Sequence, residues 1–142
     1  MLLLFLIFEV CGLVFEVDLT SSLPLIYGNP SQLKQVIENL LTNAIHYTSA
    51  GEVLVSTYHD SEHGMVCLQV TDTGIGISED ELPLLFDRFY RGERTSQSNI
   101  PGTGLGLSIV QEILALHNGR IEVESELHKG STFRVWLPIS NQ

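Results

Sequence analysis

Three glycines fall within five residues in the stretch "NIPGTGLGLSIVQ", which runs from Asn99 to Gln111 of the 142-residue chain. They are Gly102, Gly104 and Gly106, and apolar side chains recur at helical spacing directly after them. Glycine serves where the backbone must adopt a conformation, or approach another group, in a way that a Cβ would prevent. The chain must therefore fold so that a bare backbone segment leads into the N-terminus of a helix predicted from about Leu105 to His117.

The spacing of these glycines excludes three well-known phosphate-binding loops. A P-loop needs a lysine directly after its second glycine, and the chain's only lysines are Lys34 and Lys129. A dinucleotide fingerprint needs a glycine at Leu107 and a strand just before the motif. The glycine-rich loop of protein kinases lies between two strands rather than before a helix. Two interpretations remain: a helix N-terminus that binds an anion, or a flexible turn followed by a helix cap.

A second motif is "VTDTGIGIS", in which Asp72 ends a predicted strand and Gly74 and Gly76 follow. A carboxylate in this place can accept an exocyclic N–H, and the two glycines allow a flat ring to approach the backbone. An Asp-rich turn between a strand and a helix is the alternative interpretation. The motif alone does not decide between the two.

A third motif is "ENLLTNAIHY", in which Asn39 and Asn43 stand four residues apart and therefore project from one side of a helix. His46 lies nearby on the same helix. Carboxamide oxygens can ligate a hard cation such as Mg²⁺, and asparagine is a poor helix former. A solvated polar helix face is the alternative.

The rest of the chain alternates between strand and helix patterns. A helix is expected from the N-cap Asn29 and Pro30 to a C-cap near Gly51, and a second helix after Ser78, which forms a capping-box spacing with Glu81. Predicted strands cover Leu13–Leu19, Val53–Tyr58, Met65–Thr71, Arg120–Ser125 and Thr132–Pro138. Because hairpins are grouped with helices, we expect an α/β fold with an antiparallel-rich sheet and helices on one face.

The net charge of the chain limits the kinds of partner and ligand it can bind. Seven basic residues against 17 acidic residues give a net charge of −10, which argues against a nucleic-acid partner. An anionic ligand must be held by helix N-termini, a metal ion or a few arginines. The apolar N-terminal run "MLLLFLIFEV" is too short for a membrane-spanning helix and lacks the features of a signal peptide. We expect this run to pack on the domain or on a partner.

Taken in order, the motifs resemble those of one protein family. Asn39-x3-Asn43, Asp72-x-Gly74-x-Gly76, Phe86-x2-Phe89 and Gly102-x-Gly104-x-Gly106 resemble the N, G1, F and G2 boxes of sensor histidine kinases, within the wider Bergerat-fold ATPases. The resemblance extends from about Leu13 to Pro138. It implies a two-layer α/β sandwich with a mixed, mostly antiparallel sheet and about three helices on one face.

The resemblance also implies a division of the chain. Residues 11–142 would form an ATP-binding catalytic domain with a lid at about residues 91–104. Residues 1–10 would be an apolar N-terminal extension, either the remnant of a dimerisation helix or a docking site for one.

The resemblance further implies roles for individual residues. Asp72 would accept the adenine amino group, Thr132 would assist through water, and Asn43 would hold Mg²⁺. Asn39 would lie near the phosphates and Arg91 beside the lid, and these two with Asn43 are the expected catalytic residues. The remaining expected ATP contacts are His46, Tyr47, Gly74, Gly76, Ile77, Tyr90, Gly102, Thr103, Gly104, Leu105, Gly106 and Leu107.

Two positions refine this expectation. Hydrolytic relatives carry a glutamate as general base four residues before the metal-binding asparagine, where this chain has Asn39, which cannot take a proton. We therefore expect slow ATP hydrolysis. The family usually has lysine where this chain has His46, so a phosphate contact there would be weaker and would depend on pH.

The resulting expectation is the catalytic domain of a two-component sensor histidine kinase. It would bind Mg²⁺ and ATP and transfer the γ-phosphoryl group to a histidine on a separate dimerisation domain, from which a response regulator would receive it. None of the chain's five histidines has the setting of a phosphoacceptor. Two alternatives are an ATP-regulated interaction module and a serine kinase of the anti-sigma type. A cytoplasmic location and a homodimer through the apolar N-terminus complete the expectation.

Overall fold

The computed structural model of the protein describes residues 3–10, 13–20, 22–48, 50–87 and 106–140. These residues form one six-stranded sheet with the order β1-β2-β3-β4-β6-β5. Its strands are β1 (Leu3–Val10), β2 (Leu13–Thr20), β3 (Gly51–Asp60), β4 (Met65–Asp72), β5 (Arg120–Glu126) and β6 (Gly130–Pro138). Only β2 and β3 pair in parallel, and the other four pairings are antiparallel. The prediction of a mixed, mostly antiparallel sheet is confirmed.

The first helix, α1 (Pro30–Tyr47), connects the two parallel strands. It begins as expected, because the side chain of the N-cap Asn29 accepts a hydrogen bond of 3.1 Å from the backbone N–H of Gln32. Its end differs from the expectation: the C-cap is Thr48, and Gly51 instead opens β3 with a φ of 135°. Gly51 is thus needed at the start of the strand, in a conformation that other residues rarely adopt.

The second helix, α2 (Gly106–Leu116), packs beside α1. It closes at Asn118 and Gly119, directly after the predicted end near His117, with Asn118 at a φ of 57° and the Gly119 N–H donating to Leu114 O at 2.8 Å. The helix expected after Ser78 is, up to residue 87, a single 3-10 turn at Leu82–Leu84. Pro83 lies inside this turn, and the residues after it continue with i to i−3 bonds, such as Leu85 N–H to Leu82 O at 3.4 Å and Asp87 N–H to Leu84 O at 3.1 Å.

The core lies between the two helices and one face of the sheet. Alternate residues of the strands supply the sheet side, and the buried stripe of α1 together with the inner face of α2 supplies the other. The largest contributions come from Leu13, Phe15, Val36, Leu40, Val53, Val70, Val110, Leu114, Phe133 and Val135. Because Asp72 has the same strand parity as Val70, its side chain also faces the helices.

The apolar N-terminal run adds a strand to the sheet. β1 pairs with β2 over its whole length, from Leu3 opposite Thr20 to Val10 opposite Leu13. The run thus forms the edge strand β1 of the sheet. Among the described residues, no helix is both long enough and apolar enough to cross a lipid bilayer.

Candidate nucleotide site

Two asparagines of α1 lie on the side of the helix that meets α2. Asn39 Nδ2 donates a hydrogen bond of 3.2 Å to the carbonyl of Gly106, the first residue of α2. Asn43 lies one turn further along and is half-buried, and its Nδ2 is buried without a hydrogen-bond partner. The predicted pair therefore shares one helix side, but Asn39 contacts protein whereas Asn43 keeps an unsatisfied amide.

Asp72 is the last residue of β4 and is only 3% exposed. Its Oδ1 accepts a hydrogen bond of 2.9 Å from the backbone N–H of Gly74, and its Oδ2 has no hydrogen-bond partner. Burial raises the pKa of this carboxyl above its ordinary value, and the hydrogen bond from Gly74 offsets part of the rise. A buried acceptor with one free oxygen suits a ligand that carries an N–H donor.

Thr48 is a further residue beside this carboxyl, and sequence reasoning did not single it out. It directly follows α1 in an extended conformation and is 1% exposed, with its hydroxyl buried and unpaired. Its hydroxyl lies near enough to Asp72 to lower the pKa of that carboxyl, although the two groups do not reach hydrogen-bond geometry. A threonine that follows a helix has no periodic pattern that would mark it in the sequence.

The described residues contain four buried side-chain polar atoms without a partner. Three belong to Asn43, Thr48 and Asp72, around the C-terminal half of α1 and the end of β4. The fourth is Nε1 of Trp136, which by strand parity lies on the other face of the sheet. Unpaired buried polar atoms are rare in folded proteins. A polar ligand between the C-terminal half of α1 and the end of β4 would give these atoms partners.

The segment after β4 is held from both sides. Ile75 N–H donates to Tyr47 O at 3.0 Å, and Ile75 O accepts from His128 N–H at 2.6 Å. Ile77 N–H donates to Ser125 Oγ at 2.7 Å, and Ser125 in turn donates to Gly130 O at 2.9 Å. The end of α1 and the β5–β6 turn thus fix the backbone that follows Asp72.

Both glycines of this segment are required by contacts within the protein. A Cβ on Gly74 would lie 2.2 Å from Tyr47 O, and a Cβ on Gly76 would lie 2.1 Å from Glu126 O. Gly76 also has a φ of 72°. The sequence predicts that these glycines admit a flat ring, and the structure shows a further reason for them, namely the close approach of neighbouring backbone.

Three further residues that the resemblance assigns to ATP binding lie at or near the end of α1 and after β4. Tyr47 packs against the core at the end of α1, Ile77 is buried with 1% exposure, and His46 is half-buried in the last turn of α1. Tyr47 and Ile77 border the segment that carries Gly74 and Gly76. His46 is near the same end of α1 as the unpaired hydroxyl of Thr48.

Thr132 is not brought to the side chain of Asp72. In the β4–β6 register Asp72 is opposite Ser131, while Thr132 is opposite Thr71, and the two threonine hydroxyls lie 3.2 Å apart on the other face of the sheet. Ser131 is 3% exposed, and its hydroxyl lies 2.7 Å from Ser125 Oγ. Ser131, and not Thr132, therefore lies on the face of the sheet that carries the Asp72 side chain. The strand pattern could have indicated this, because Ser131 shares its parity with the apolar Phe133 and Val135.

The start of α2 offers backbone donors for an anion. Gly106 is exposed at the first helical position, and Leu107 follows it with its side chain in the core. The first N–H groups of a helix have no partner within the helix and favour negative charge. The predicted residues Tyr90, Arg91, Gly102, Thr103, Gly104 and Leu105, and the lid at about residues 91–104, lie outside the described residues.

Every lysine and arginine side chain in the described residues forms an ion pair with a glutamate. Lys34, Arg120, Lys129 and Arg134 form ion pairs with Glu38, Glu122, Glu126 and Glu124, respectively. Within this part of the chain, the start of α2 is therefore the feature that best suits a phosphate group.

The chain matches a known protein family. The model of the family described as "Histidine kinase-, DNA gyrase B-, and HSP90-like ATPase" matches residues 28–141. The chain belongs to this family of ATPases. The match includes every motif of the site and leaves out β1 and β2.

Sensor histidine kinases are among the relatives that match. Sensor histidine kinase RppB of Synechocystis sp. is 46% identical over 122 residues, which are 86% of this chain and 27% of RppB. Adaptive-response sensory kinase SasA of Synechococcus elongatus is 41% identical over 123 residues, which are 86% of this chain and 31% of SasA. The chain thus spans about a third of these relatives or less, and it corresponds to their ATPase part.

Solved structures agree in fold. The mycobacterial sensor histidine kinase MprB superposes with a TM-score of 0.79 at 32% identity, covering 92% of this chain and 86% of that one. Full-length ShkA in complex with AMPPNP also gives a TM-score of 0.79, at 30% identity, covering 92% of this chain and 26% of that one. The chain therefore has the α/β fold of histidine kinase catalytic domains.

Proposed function

We propose that this domain binds ATP with Mg²⁺ between α1, the end of β4 and the start of α2, and that it transfers the γ-phosphoryl group to a histidine of a separate dimerisation domain. The observation that carries the proposal is the free, buried Oδ2 of Asp72, an acceptor suited to the amino group of adenine. Family membership supplies the ATPase context.

The metal part of the proposal rests on Asn43. Its carboxamide has one buried atom without a partner, and a 180° rotation about the terminal bond exchanges oxygen and nitrogen. Amide and phosphate oxygens are ligands that Mg²⁺ accepts. Asn43 would hold the ion through Oδ1, and the ion would supply charge neutralisation on the phosphates.

The transfer itself needs no general base from this chain. A ring nitrogen of the acceptor histidine attacks the γ-phosphorus, a P–N bond forms, and the bond to the β-phosphate oxygen breaks, so that ADP leaves. Asn39 cannot accept a proton from water, and its Nδ2 is engaged by Gly106 O. This side chain therefore favours retention of the phosphoryl group for the acceptor over hydrolysis.

The proposed partners follow from this reaction. They are a histidine-bearing dimerisation domain and, through it, a response regulator, in a cytoplasmic setting and without nucleic acid. The β1 edge of the sheet is a proposed contact for the dimerisation helix or for a second copy of the chain.

The test is transfer in trans. The chain, γ-labelled ATP and Mg²⁺ are incubated with the dimerisation domain of RppB, and Asp72→Asn serves as the matched control. We expect acid-labile label on the histidine of the added domain and no label on the chain when it is incubated alone. With Asp72→Asn we expect no label on either protein. Acid-stable label on a serine would favour the anti-sigma alternative. ATP binding without any label on the added domain would favour the interaction module, and both results would contradict the proposal.

A further inference from the structure

The turn between β3 and β4 brings one imidazole and two carboxylates together. Asp60 ends β3, and Glu62 and His63 follow it in the turn before Met65 opens β4. One ligand atom from each of the three side chains lies within 4.8 Å of the other two. A histidine nitrogen combined with carboxylate oxygens is a donor set of Zn²⁺ and related divalent transition-metal ions. The turn therefore presents mixed nitrogen and oxygen ligands rather than carboxylates alone.

The carboxylate of Asp60 is held in a fixed orientation by His63. Its Oδ1 accepts a hydrogen bond of 3.2 Å from the backbone N–H of His63, and its Oδ2 lies 2.9 Å from His63 Nδ1. The hydrogen bond with the His63 side chain lowers the pKa of Asp60, so the carboxylate is ionised at neutral pH. One oxygen is thus used by the turn, while the other faces the imidazole.

The distance between these two side chains fits a coordination sphere. Two ligand atoms that each lie about 2.1 Å from one metal ion stand about 3.0–3.4 Å apart for bond angles of about 90–110°. The 2.9 Å between Asp60 Oδ2 and His63 Nδ1 is close to this separation. An ion can therefore replace the shared hydrogen with little change in the turn. Glu62 is exposed, so its side chain can rotate toward the same ion.

The charges of the turn favour a cation. Each lysine and arginine of the described residues forms its ion pair with a glutamate other than Glu62. Within this part of the chain, the ion pair of Asp60 is the one with His63, which carries a charge only when it is protonated. A divalent cation would offset the charges of Asp60 and Glu62 together, whereas a protonated imidazole offsets one of them.

We propose that Asp60, Glu62 and His63 bind a divalent transition-metal ion of the Zn²⁺ class at the β3–β4 turn. The ligands are Asp60 Oδ2, His63 Nδ1 and one carboxylate oxygen of Glu62, and water completes the coordination. The turn lies at the Met65 end of β4 and Asp72 at the other, about 20 Å away along the strand. The inference is therefore independent of the proposed ATP site.

The test is a metal titration of the untagged chain and three variants. Calorimetry with ZnCl₂, in a buffer that does not bind metal, gives the stoichiometry and the Kd. His63→Ala and Glu62→Gln each remove one ligand, and His59→Ala is the matched control, because His59 is an exposed histidine of the same hairpin outside the group of three. Thermal melting without metal checks that each variant is folded.

We expect one Zn²⁺ ion per chain and a Kd that rises at least about tenfold in His63→Ala and in Glu62→Gln. His59→Ala should keep the Kd within about twofold of the wild type. Zn²⁺ should raise the melting temperature of the wild type but not that of His63→Ala, because an ion that binds only the folded protein stabilises it. Excess Mg²⁺ should not displace Zn²⁺, since Mg²⁺ prefers oxygen ligands alone.

Three results would overturn the inference. They are absence of Zn²⁺ binding by the wild type, an unchanged Kd in both His63→Ala and Glu62→Gln, and equal weakening by His59→Ala. If His63→Ala fails to fold, an unchanged Kd in Glu62→Gln alone overturns it. The Kd of ATP, measured on the same proteins, should not change in any of the three variants. Zn²⁺ binding by a wild type that does not bind ATP would support this inference and overturn the proposed function.

Discussion

Asp72 Oδ1 accepts a hydrogen bond of 2.9 Å from Gly74 N–H, and this bond leaves Asp72 Oδ2 as a buried acceptor without a partner. The carboxyl is thereby oriented by its own loop, with one oxygen used for structure and the other available to a ligand. Because the two oxygens have different partners, the substitution Asp72→Asn can test the ligand-facing oxygen separately from the structural one.

Asp72→Asn should weaken ATP binding strongly while preserving the fold. The asparagine Oδ1 can still accept from Gly74, but the amide N–H groups then face the amino group of adenine, so that two donors oppose each other. We expect at least about a 30-fold increase in the Kd of ATP, from a lost hydrogen bond to a charged group and an unpaired donor. Calorimetry measures the Kd, and retained affinity would contradict the assignment of Asp72.

The stability of the unliganded protein should depend on pH through Asp72. Because burial raises the pKa of this carboxyl, the folded protein binds its proton more tightly than the unfolded chain does. The resulting stability is complete below the ordinary pKa of 3.8 and is lost as the pH rises through the raised pKa. Asp72→Asn, which does not titrate, should therefore be more stable than the wild type near pH 7.

Urea unfolding of both proteins across the pH range checks this sign. The stability advantage of Asp72→Asn should shrink as the pH falls through the raised pKa. Asp60, whose pKa is lowered by its hydrogen bond with His63, is present in both proteins and cancels in the difference. An advantage that grows toward low pH would contradict the direction of the shift at Asp72.

Gly76 and Gly64 form a matched pair for testing backbone packing. Both have a positive φ, 72° and 64°, but a Cβ on Gly76 would lie 2.1 Å from Glu126 O, while a Cβ on Gly64 would meet nothing within 4 Å. Gly64→Ala should cost about 1 kcal/mol for its left-handed conformation. Gly76→Ala should cost about 3 kcal/mol or more, because steric overlap is added to that strain. Equal losses in chemical unfolding would contradict the close contact.

Much of the site could be predicted from the sequence because its signals are local. The N-cap of α1, the strand end at Asp72 and the one-sided pair Asn39 and Asn43 depend on spacing along one element. The antiparallel-rich character of the sheet follows from the order of hairpins and helices, and its one parallel pairing is what the family resemblance implies. These features need no knowledge of which elements meet in space.

The remaining features depend on contacts between distant parts of the chain. Ser131 rather than Thr132 shares the face of Asp72 because of the strand register. Adjacent residues of a strand point to opposite faces of the sheet, so a shift of one residue changes the face. The cause of glycine at position 74 is the carbonyl of Tyr47, and the unpaired hydroxyl of Thr48 becomes visible only when its neighbours are known. A helix is expected after Ser78, but up to residue 87 the structure has only a 3-10 turn, which contains Pro83.

His46→Lys should tighten the binding of ATP near neutral pH. His46 lies in the last turn of α1, and each lysine and arginine of the described residues is already paired with a glutamate. A lysine at this position would bring a permanent positive charge toward the phosphates, whereas imidazole is mostly neutral at pH 7. We expect about a three- to tenfold lower Kd at about pH 7.5, with a smaller difference at about pH 6, where histidine becomes protonated.

The matched control for this charge is His59→Lys. His59 is exposed near the hairpin end of β3, whereas the opposite end of that strand, at Gly51, lies beside the segment after Asp72. The control adds the same charge to the protein but at the far end of the strand, so it should leave the Kd unchanged within about twofold. Titration calorimetry that gives the same Kd for His46→Lys, His59→Lys and the wild type would remove His46 from the phosphate site.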